Sequence, residues 1–413
     1  MLQPLSPESR ALVEAGRQYF IPNYKPREMI LDRGRGARLW DLDGNEYLDL
    51  GGGIAVNCLG HQDPQLLAAL DAQAKKLWHT SNVYFTEPAI RLAAELVTAS
   101  GFASRVFFCN SGAEANEAAI KLARRYATQH LAPSQRRILT FHGSFHGRTL
   151  ATVTATAQPK YQEGFEPLPG GFVYGPFNDV TGATQLIDAH TCAVLVEPVQ
   201  GEGGVLPAAP GFLAALRAAC DKVGALLIFD EVQCGIGRTG KLFGHEWDGV
   251  RPDALTLAKA LGGGMPIGAL LAAPKVEEVL GFGTHGSTFG GNPLACAVAR
   301  AVLARVSDPG FLAGVARQSE RLRAGLHALG ARHDLFREIR GRGLMLGAVL
   351  NGRWQGKATD ITEFAREDGV LILQAGPDVL RFVPPLTLTD EELDSALARL
   401  STTFARLPAP AQS

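Results

Sequence analysis

Short apolar runs recur through the middle of the chain, separated by longer amphipathic stretches: RRILTF, CAVLVEP, ALLIFDEV, ALTLAK and GALLAAP. This alternation predicts βαβ units and a mainly parallel sheet. Between CAVLVEP and ALLIFDEV lies PGFLAALRAACDKVG, where Phe212, Leu213 and Leu216 share one helical face and Pro210 is placed for a helix start. That segment is expected to be a crossover helix. FFCNSGAEANEAAIKLARRYA opens as a strand, turns at Asn110, Ser111 and Gly112, and continues as a helix with Ala115, Ala119, Leu122 and Tyr126 on one side.

The two ends read differently. ARLWDLDGNEYLDL predicts a hairpin with Asp43-Gly44 at its turn. From about residue 305, QSERLRAGLHALGARHD predicts an amphipathic helix, REIRGRGLMLGAVL and LRFVPPLTL short strands, and DEELDSALARL a last helix. A smaller α+β domain is expected there, with LPAPAQS frayed at the end. Internal repeats and low-complexity tracts are absent from the sequence.

Composition narrows the class. A chain of 413 residues with 46% hydrophobic content can bury a large core, which excludes a disordered protein. Forty basic and 41 acidic residues leave a net charge of −1 with no block of one sign, so nucleic acid is not an expected partner and small molecules are. The six cysteines include no C-x-x-C pair, which suits reduced thiols in the cytoplasm and implies no metal. MLQPLSPESRALVEAGRQYF lacks a signal-peptide pattern, and no stretch reaches the roughly 18 apolar residues of a membrane span. A soluble, unexported protein is expected.

In open α/β sheets ligands sit beyond the carboxyl ends of the strands, and here those ends carry Glu197, Asp230 with Glu231, and Lys259. They point to one site. Lys259 is the only charged residue in ALTLAKALGGGMPIG, and apolar surroundings lower an amine's pKa and free it to attack a carbonyl. A solvated loop lysine is the plainer alternative. Asp230 ends the apolar run LLIFD, where a buried carboxylate needs a cation or several hydrogen bonds. A pyridinium nitrogen would serve, and the 29 residues from Asp230 to Lys259 suit one βαβ step. Capping a helix is the alternative for Asp230. The helix opening at Ser111-Gly112 offers unpaired N–H groups to a phosphate, with ordinary capping as the alternative; no Walker loop occurs. In HGSFHGRTL, His142 and His146 stand four apart, but the glycines oppose a helix and no acid accompanies them, so no metal site is expected. Phe145 could cover a cofactor ring and Arg148 grip a carboxylate, although a surface arginine is the commoner case.

SGAEANEAAIKLAR, SFHGRT, EPVQGEGG, FDEVQCGIGRTG, LAKALGGGMPIGA and HGSTFGGNPLA occur in the order seen in class III pyridoxal-phosphate aminotransferases, and the chain resembles that fold-type I family over nearly its whole length. The resemblance implies a mainly parallel seven-stranded sheet in a large domain, residues 61–305. It also implies a smaller α+β domain formed by residues 306–413 with the N-terminal segment 1–60. It implies that Lys259 forms a Schiff base with pyridoxal 5′-phosphate and that Asp230 pairs with the pyridine nitrogen. Ser111, Gly112 and Ala113 would hold the phosphate, Phe145 and Val232 cover the ring faces, and Gln233 meet the ring hydroxyl. Thr288 resembles a threonine that reaches the phosphate from the neighbouring subunit, which implies a homodimer with shared active sites.

GIAVNCLGH with SFHGRT is most similar to the branch of the family acting on N-acetylornithine. Ornithine aminotransferases of the family carry a tyrosine where this chain has Gly53, so room for an acyl group is implied. Arg148 would then take the α-carboxylate of N-acetylornithine, with Ser287 nearby. Arg381, in LRFVPP, would take the α-carboxylate of glutamate, and Glu202 would pair with it when the other substrate is bound; Tyr24 is grouped with these substrate-side residues. The implied reaction moves the δ-amino group to 2-oxoglutarate, giving N-acetylglutamate 5-semialdehyde and glutamate, a step of arginine biosynthesis. Alternatives are N-succinyl-diaminopimelate, succinylornithine, ornithine or a lysine-pathway intermediate as substrate, or a non-catalytic ligand-binding protein on the same scaffold.

Overall fold

The computed structural model describes residues 2–408; the end of LPAPAQS, expected to fray, lies from residue 409 outside the described residues. A helix, Pro7–Tyr19, leads into three antiparallel strands, β1 (Leu31–Arg35), β2 (Arg38–Asp41) and β3 (Glu46–Asp49). The β2–β3 turn is the expected Asp43-Gly44. Gly44 sits at φ +81°, and Asp41 accepts from the Asn45 amide at 2.8 Å across the turn.

Four strands follow, β4 (Arg105–Cys109), β5 (Arg137–Phe141), β6 (Phe172–Gly175) and β7 (Thr191–Val196), then a two-residue ribbon of β8 (Val199–Gln200) and β9 (Leu206–Pro207). Next come β10 (Leu226–Asp230), β11 (Ala254–Leu257) and β12 (Gly268–Ala272). The large sheet has the order β4-β12-β11-β10-β7-β5-β6, and every pairing is parallel except those of β12 with β11 and β4. The exception has a cause. A parallel return needs a crossover of a dozen residues or more, and only residues 258–267 separate β11 from β12. That short return carries Lys259.

β7, β10 and β11 are buried along their whole length because helices cover both faces of the sheet, which is why they read as unbroken apolar runs. The crossover helix between β7 and β10 is Phe212–Val223 and buries Phe212, Leu213, Leu216 and Cys220. Each of the larger side chains gains about 1.5–3 kcal/mol by leaving water. Pro210 does not open this helix: Gly211, at φ +82°, is the N-cap, so the proline belongs to the preceding turn.

Beyond the helices Pro293–Val306 and Pro309–His333 come β13 (Phe336–Arg342), β14 (Met345–Leu350), β15 (Val370–Leu371), β16 (Leu373–Gln374) and β17 (Val379–Phe382), then the helix Asp390–Ala405. β13, β14, β17 and β16 form one antiparallel sheet, while β15 pairs in parallel with β3 and so joins the two ends of the chain. Arg238 fastens this region to the large sheet. Fully buried in the loop after β10, it donates to the backbone carbonyls of Leu344 and Pro384.

Candidate active site

A cavity of about 410 Å³, within the usual range for a small-molecule site, opens at the carboxyl ends of the parallel strands. Glu197, Asp230 and Lys259, from the ends of β7, β10 and β11, all line it. Ser111, Gly112 and Ala113 reach it from the helix Gly112–His130, and Phe145 and Arg148 from the loop after β5. Val232 and Gln233 complete the set of expected residues on its wall. Glu231 is not among them. Successive residues of an extended chain point to opposite sides, so Glu231 turns away and accepts the amides of Gly244 (2.6 Å) and His245 (2.8 Å).

The remaining expected residues lie off the wall. Arg381 donates to Glu202 and, at 3.2 Å, to Gln233 Oε1, so this ion pair touches the cavity through Gln233. Ser287 Oγ accepts from Asn110 Nδ2 at 3.2 Å, and Asn110 lines the cavity. Thr288 is exposed in the same loop, and Tyr24 is 82% exposed; the single chain brings neither to the site.

Asp230 is buried and held from three sides. Oδ2 accepts from Asn116 Nδ2 at 2.7 Å and meets His146 Nδ1 at 2.7 Å, while Oδ1 accepts only the Val232 amide, at 3.0 Å. Asn116 is itself fixed, donating to the His146 carbonyl (2.8 Å) and accepting from Thr256 Oγ1 (2.8 Å). A carboxylate can accept about four hydrogen bonds, so acceptor capacity is left over on the cavity side for a cation. Sequence reading missed Asn116 and weighed His146 only as a metal ligand, not as a partner of Asp230. The available signal was a lone amide on the alanine-rich face of the helix, since a buried polar group there demands partners.

Lys259 is half-buried, and its backbone lies at φ +44°, a conformation that side-chain-bearing residues rarely adopt. Burial disfavours its ammonium and pushes the amine below the ordinary lysine range, although Glu202 pulls the other way. The glycines that follow divide their roles. A Cβ at Gly262 would strike the Met265 carbonyl at 1.9 Å, which marks a tight turn, whereas Gly264 lines the cavity. Glu202 is half-buried as well, yet the Arg381 guanidinium outweighs that cost and holds its carboxyl below the usual range. For Glu197 burial wins and pushes the carboxyl up to about 7.

The helix start suits an anion. Ser111 caps it by accepting from the Glu114 amide at 3.2 Å, and the first-turn amides of Gly112 and Ala113 have no intrahelical acceptor. Gly112 is required there, because a Cβ would meet Val232 Cγ1 at 2.6 Å. Capping and ligand-facing placement thus coincide in Ser111. His142 is exposed, His146 is spent on Asp230, and no group of three metal-ligating side chains lies together among the described residues.

A half-buried lysine, a buried acceptor aspartate and an anion-ready helix start, converging at strand ends, describe a site for a phosphorylated cationic ring compound. Residues 19–404 match the class-III aminotransferases, and the chain belongs to that family. It is 61% identical over 389 residues to an acetylornithine aminotransferase of Xanthomonas campestris pv. campestris, covering 94% of this chain and 95% of that one. The N-acetylornithine aminotransferase of Stenotrophomonas maltophilia K279a superimposes with a TM-score of 0.84 at 50% identity, over 95% of this chain and 98% of that one. The ornithine aminotransferase of Toxoplasma gondii, which holds pyridoxal phosphate in partial occupancy at its active site, gives 0.90 at 35% identity over 96% and 94% of the two chains.

Proposed function

We propose that this class-III aminotransferase uses pyridoxal 5′-phosphate to move the δ-amino group of N2-acetyl-L-ornithine to 2-oxoglutarate, giving N-acetyl-L-glutamate 5-semialdehyde and L-glutamate in cytoplasmic arginine biosynthesis. The convergence of Lys259 and Asp230 on one cavity carries the chemistry, and the likeness to enzymes named for acetylornithine supports the substrate.

The lining fits the cofactor. Asp230 has acceptor capacity for a protonated ring nitrogen, and the open amides of Gly112 and Ala113, with Ser111, fit its phosphate. Phe145, Val232 and Gln233 line the same cavity, where the first two would cover the ring faces and Gln233 would meet the ring hydroxyl. When bound, pyridoxal phosphate supplies an electron sink for the bond broken at the amine-bearing carbon. Lys259 Nζ, whose ammonium burial disfavours, would move a proton between the substrate δ-carbon and the cofactor C4′. Arg148 holds the α-carboxylate of N-acetylornithine, Ser287 stands beside it, and Gly53, at φ +62°, leaves space for the acetyl group. Glu202 neutralises Arg381 for this substrate and releases it to the α-carboxylate of glutamate. Tyr24 belongs to the substrate side.

The site is shared between two copies of the chain in this reading, with Thr288 serving the neighbouring copy's phosphate. An apolar surface beside it supports the pairing. Val83, Tyr84, Phe85, Phe282 and Phe289 are exposed, and Asn82 joins the two segments by donating to the carbonyls of Ser287 (3.0 Å) and Gly290 (2.9 Å). A dimeric mass in solution is the expected result.

Comparison of kcat/KM for N-acetylornithine, succinylornithine, N-succinyl-diaminopimelate, ornithine and 4-aminobutyrate tests the substrate, and preference for free ornithine would overturn it. The purified protein should absorb in the near-ultraviolet to visible, with a shift on adding N-acetylornithine. Lys259→Ala should lower turnover to the detection limit; an active variant would remove Lys259 from the mechanism.

A further inference from the structure

Arg148 is exposed, and among the described residues no carboxylate or carbonyl holds its guanidinium. What it does touch is Tyr161: the guanidinium carbon lies 4.1 Å from the centre of the tyrosine ring and 5.5 Å from that of Phe145. Tyr161 in turn meets Phe145 edge-on, with ring centres 5.7 Å apart at 84°. One aromatic ring therefore contacts both the residue read as covering the cofactor and the residue read as gripping the substrate.

The turn that carries Tyr161 is firmly built. Pro159–Tyr161 is a single 3-10 turn, fixed on one side by Gln158 and on the other by Gln162. Gln158 Nε2 donates to the Ser144 carbonyl at 2.8 Å, next to Phe145, and Gln162 Nε2 donates to the carbonyls of Thr156 (2.9 Å) and Thr154 (3.1 Å). Two side-chain amides thus pin the half-buried ring, Gln158 to the loop that bears Phe145 and Arg148 and Gln162 to the end of the helix that follows it. Lys160 Nζ also approaches the ring, at 4.7 Å, but a flexible ammonium has no planar face to match it.

We propose that Tyr161 is a positioning residue for substrate recognition: its ring face holds the Arg148 guanidinium extended toward the cavity, so that the carboxylate of the incoming amino acid meets an ordered partner. The proposal rests on the reading of Arg148 as the carboxylate-binding residue. An arginine with no other anchor loses rotamer freedom on gripping a ligand, and stacking it beforehand reduces that loss and strengthens binding. The effect belongs to ground state and transition state alike, so it falls on KM rather than on kcat.

The test uses the cofactor-loaded enzyme with Tyr161→Leu, Tyr161→Phe, Arg148→Ala and the double variant Arg148→Ala/Tyr161→Leu. Tyr161→Leu is expected to raise KM for N-acetylornithine roughly five- to twenty-fold with kcat within about two-fold, while Tyr161→Phe, which keeps the ring, stays within about two-fold of wild type. In the Arg148→Ala background the leucine substitution should add nothing further. Additive effects in the double variant, or a loss in Tyr161→Phe equal to that in Tyr161→Leu, would overturn the positioning role while leaving Arg148 in place. An unchanged KM in Arg148→Ala alone would instead remove the reading on which the proposal stands. Tyr161→Gln replaces the leucine variant if that one does not fold.

Discussion

His146 Nδ1 stands 2.7 Å from Asp230 Oδ2, both residues buried. With Asp230 ionised, Nδ1 must carry the hydrogen, so the imidazole and Asn116 both hold the same carboxylate oxygen. Oδ1 is thereby presented to the cavity in one direction. A partner that aims a ligating group commonly matters almost as much as the group itself.

Asn116→Ala tests that arrangement. It removes a donor to a charged acceptor and another to the His146 carbonyl, contacts of 2.7 and 2.8 Å. Hydrogen bonds to charged groups contribute about 1.5–3 kcal/mol, so a ten- to hundred-fold loss in kcat or in pyridoxal-phosphate affinity is expected. Titrating the cofactor by absorbance alongside turnover measurements separates the two.

The Glu202–Arg381 pair should set the balance between the two amino donors. Glu202→Ala leaves Arg381 buried with a free face, attractive to a dicarboxylic substrate and hostile to one lacking the second carboxylate. The ratio of kcat/KM for N-acetylornithine to that for glutamate is expected to fall about ten-fold or more. An unchanged ratio would show that the pair does not discriminate.

Glu197 should make stability depend on pH. Burial raises its carboxyl from the ordinary 4.5 to about 7, so between those values the folded chain keeps a proton that the unfolded chain has released. Stability is therefore greatest, on this account, at the acid end of the window and declines as pH rises to about 7, by up to roughly 3 kcal/mol. Urea-unfolding midpoints across the window should show that slope for the wild type and a flatter one for Glu197→Gln.

How much of this was legible beforehand depended on the kind of signal. Strands of the large sheet announce themselves because burial on both faces leaves only apolar runs, and a charge at the end of such a run, as at Asp230 or Lys259, stands out by contrast. Asn116 offers a fainter contrast, a lone amide on an alanine-rich helical face, while His146 and Tyr161 offer none. What the three do comes from partners 30 or more residues away, or from a turn pinned by Gln158 and Gln162, and those ties cannot be read from neighbouring residues. Glu231 failed for the opposite reason: it shares Asp230's place in the sequence but, one residue on, faces the other side of the chain. The antiparallel course of β12 was likewise set by the length of its connection rather than by its composition.

The backbone at Lys259 bears on how durable the chain is without its cofactor. A side chain at φ +44° with a half-buried amine is an uncomfortable element twice over, once in its torsion and once in its lost hydration. Glycine would relieve both. A chain carrying Lys259→Gly should thus outlast the native one on heating in the absence of cofactor, although it could transfer nothing. Heat resistance and usefulness diverge at this residue, and the chain has retained the less durable choice.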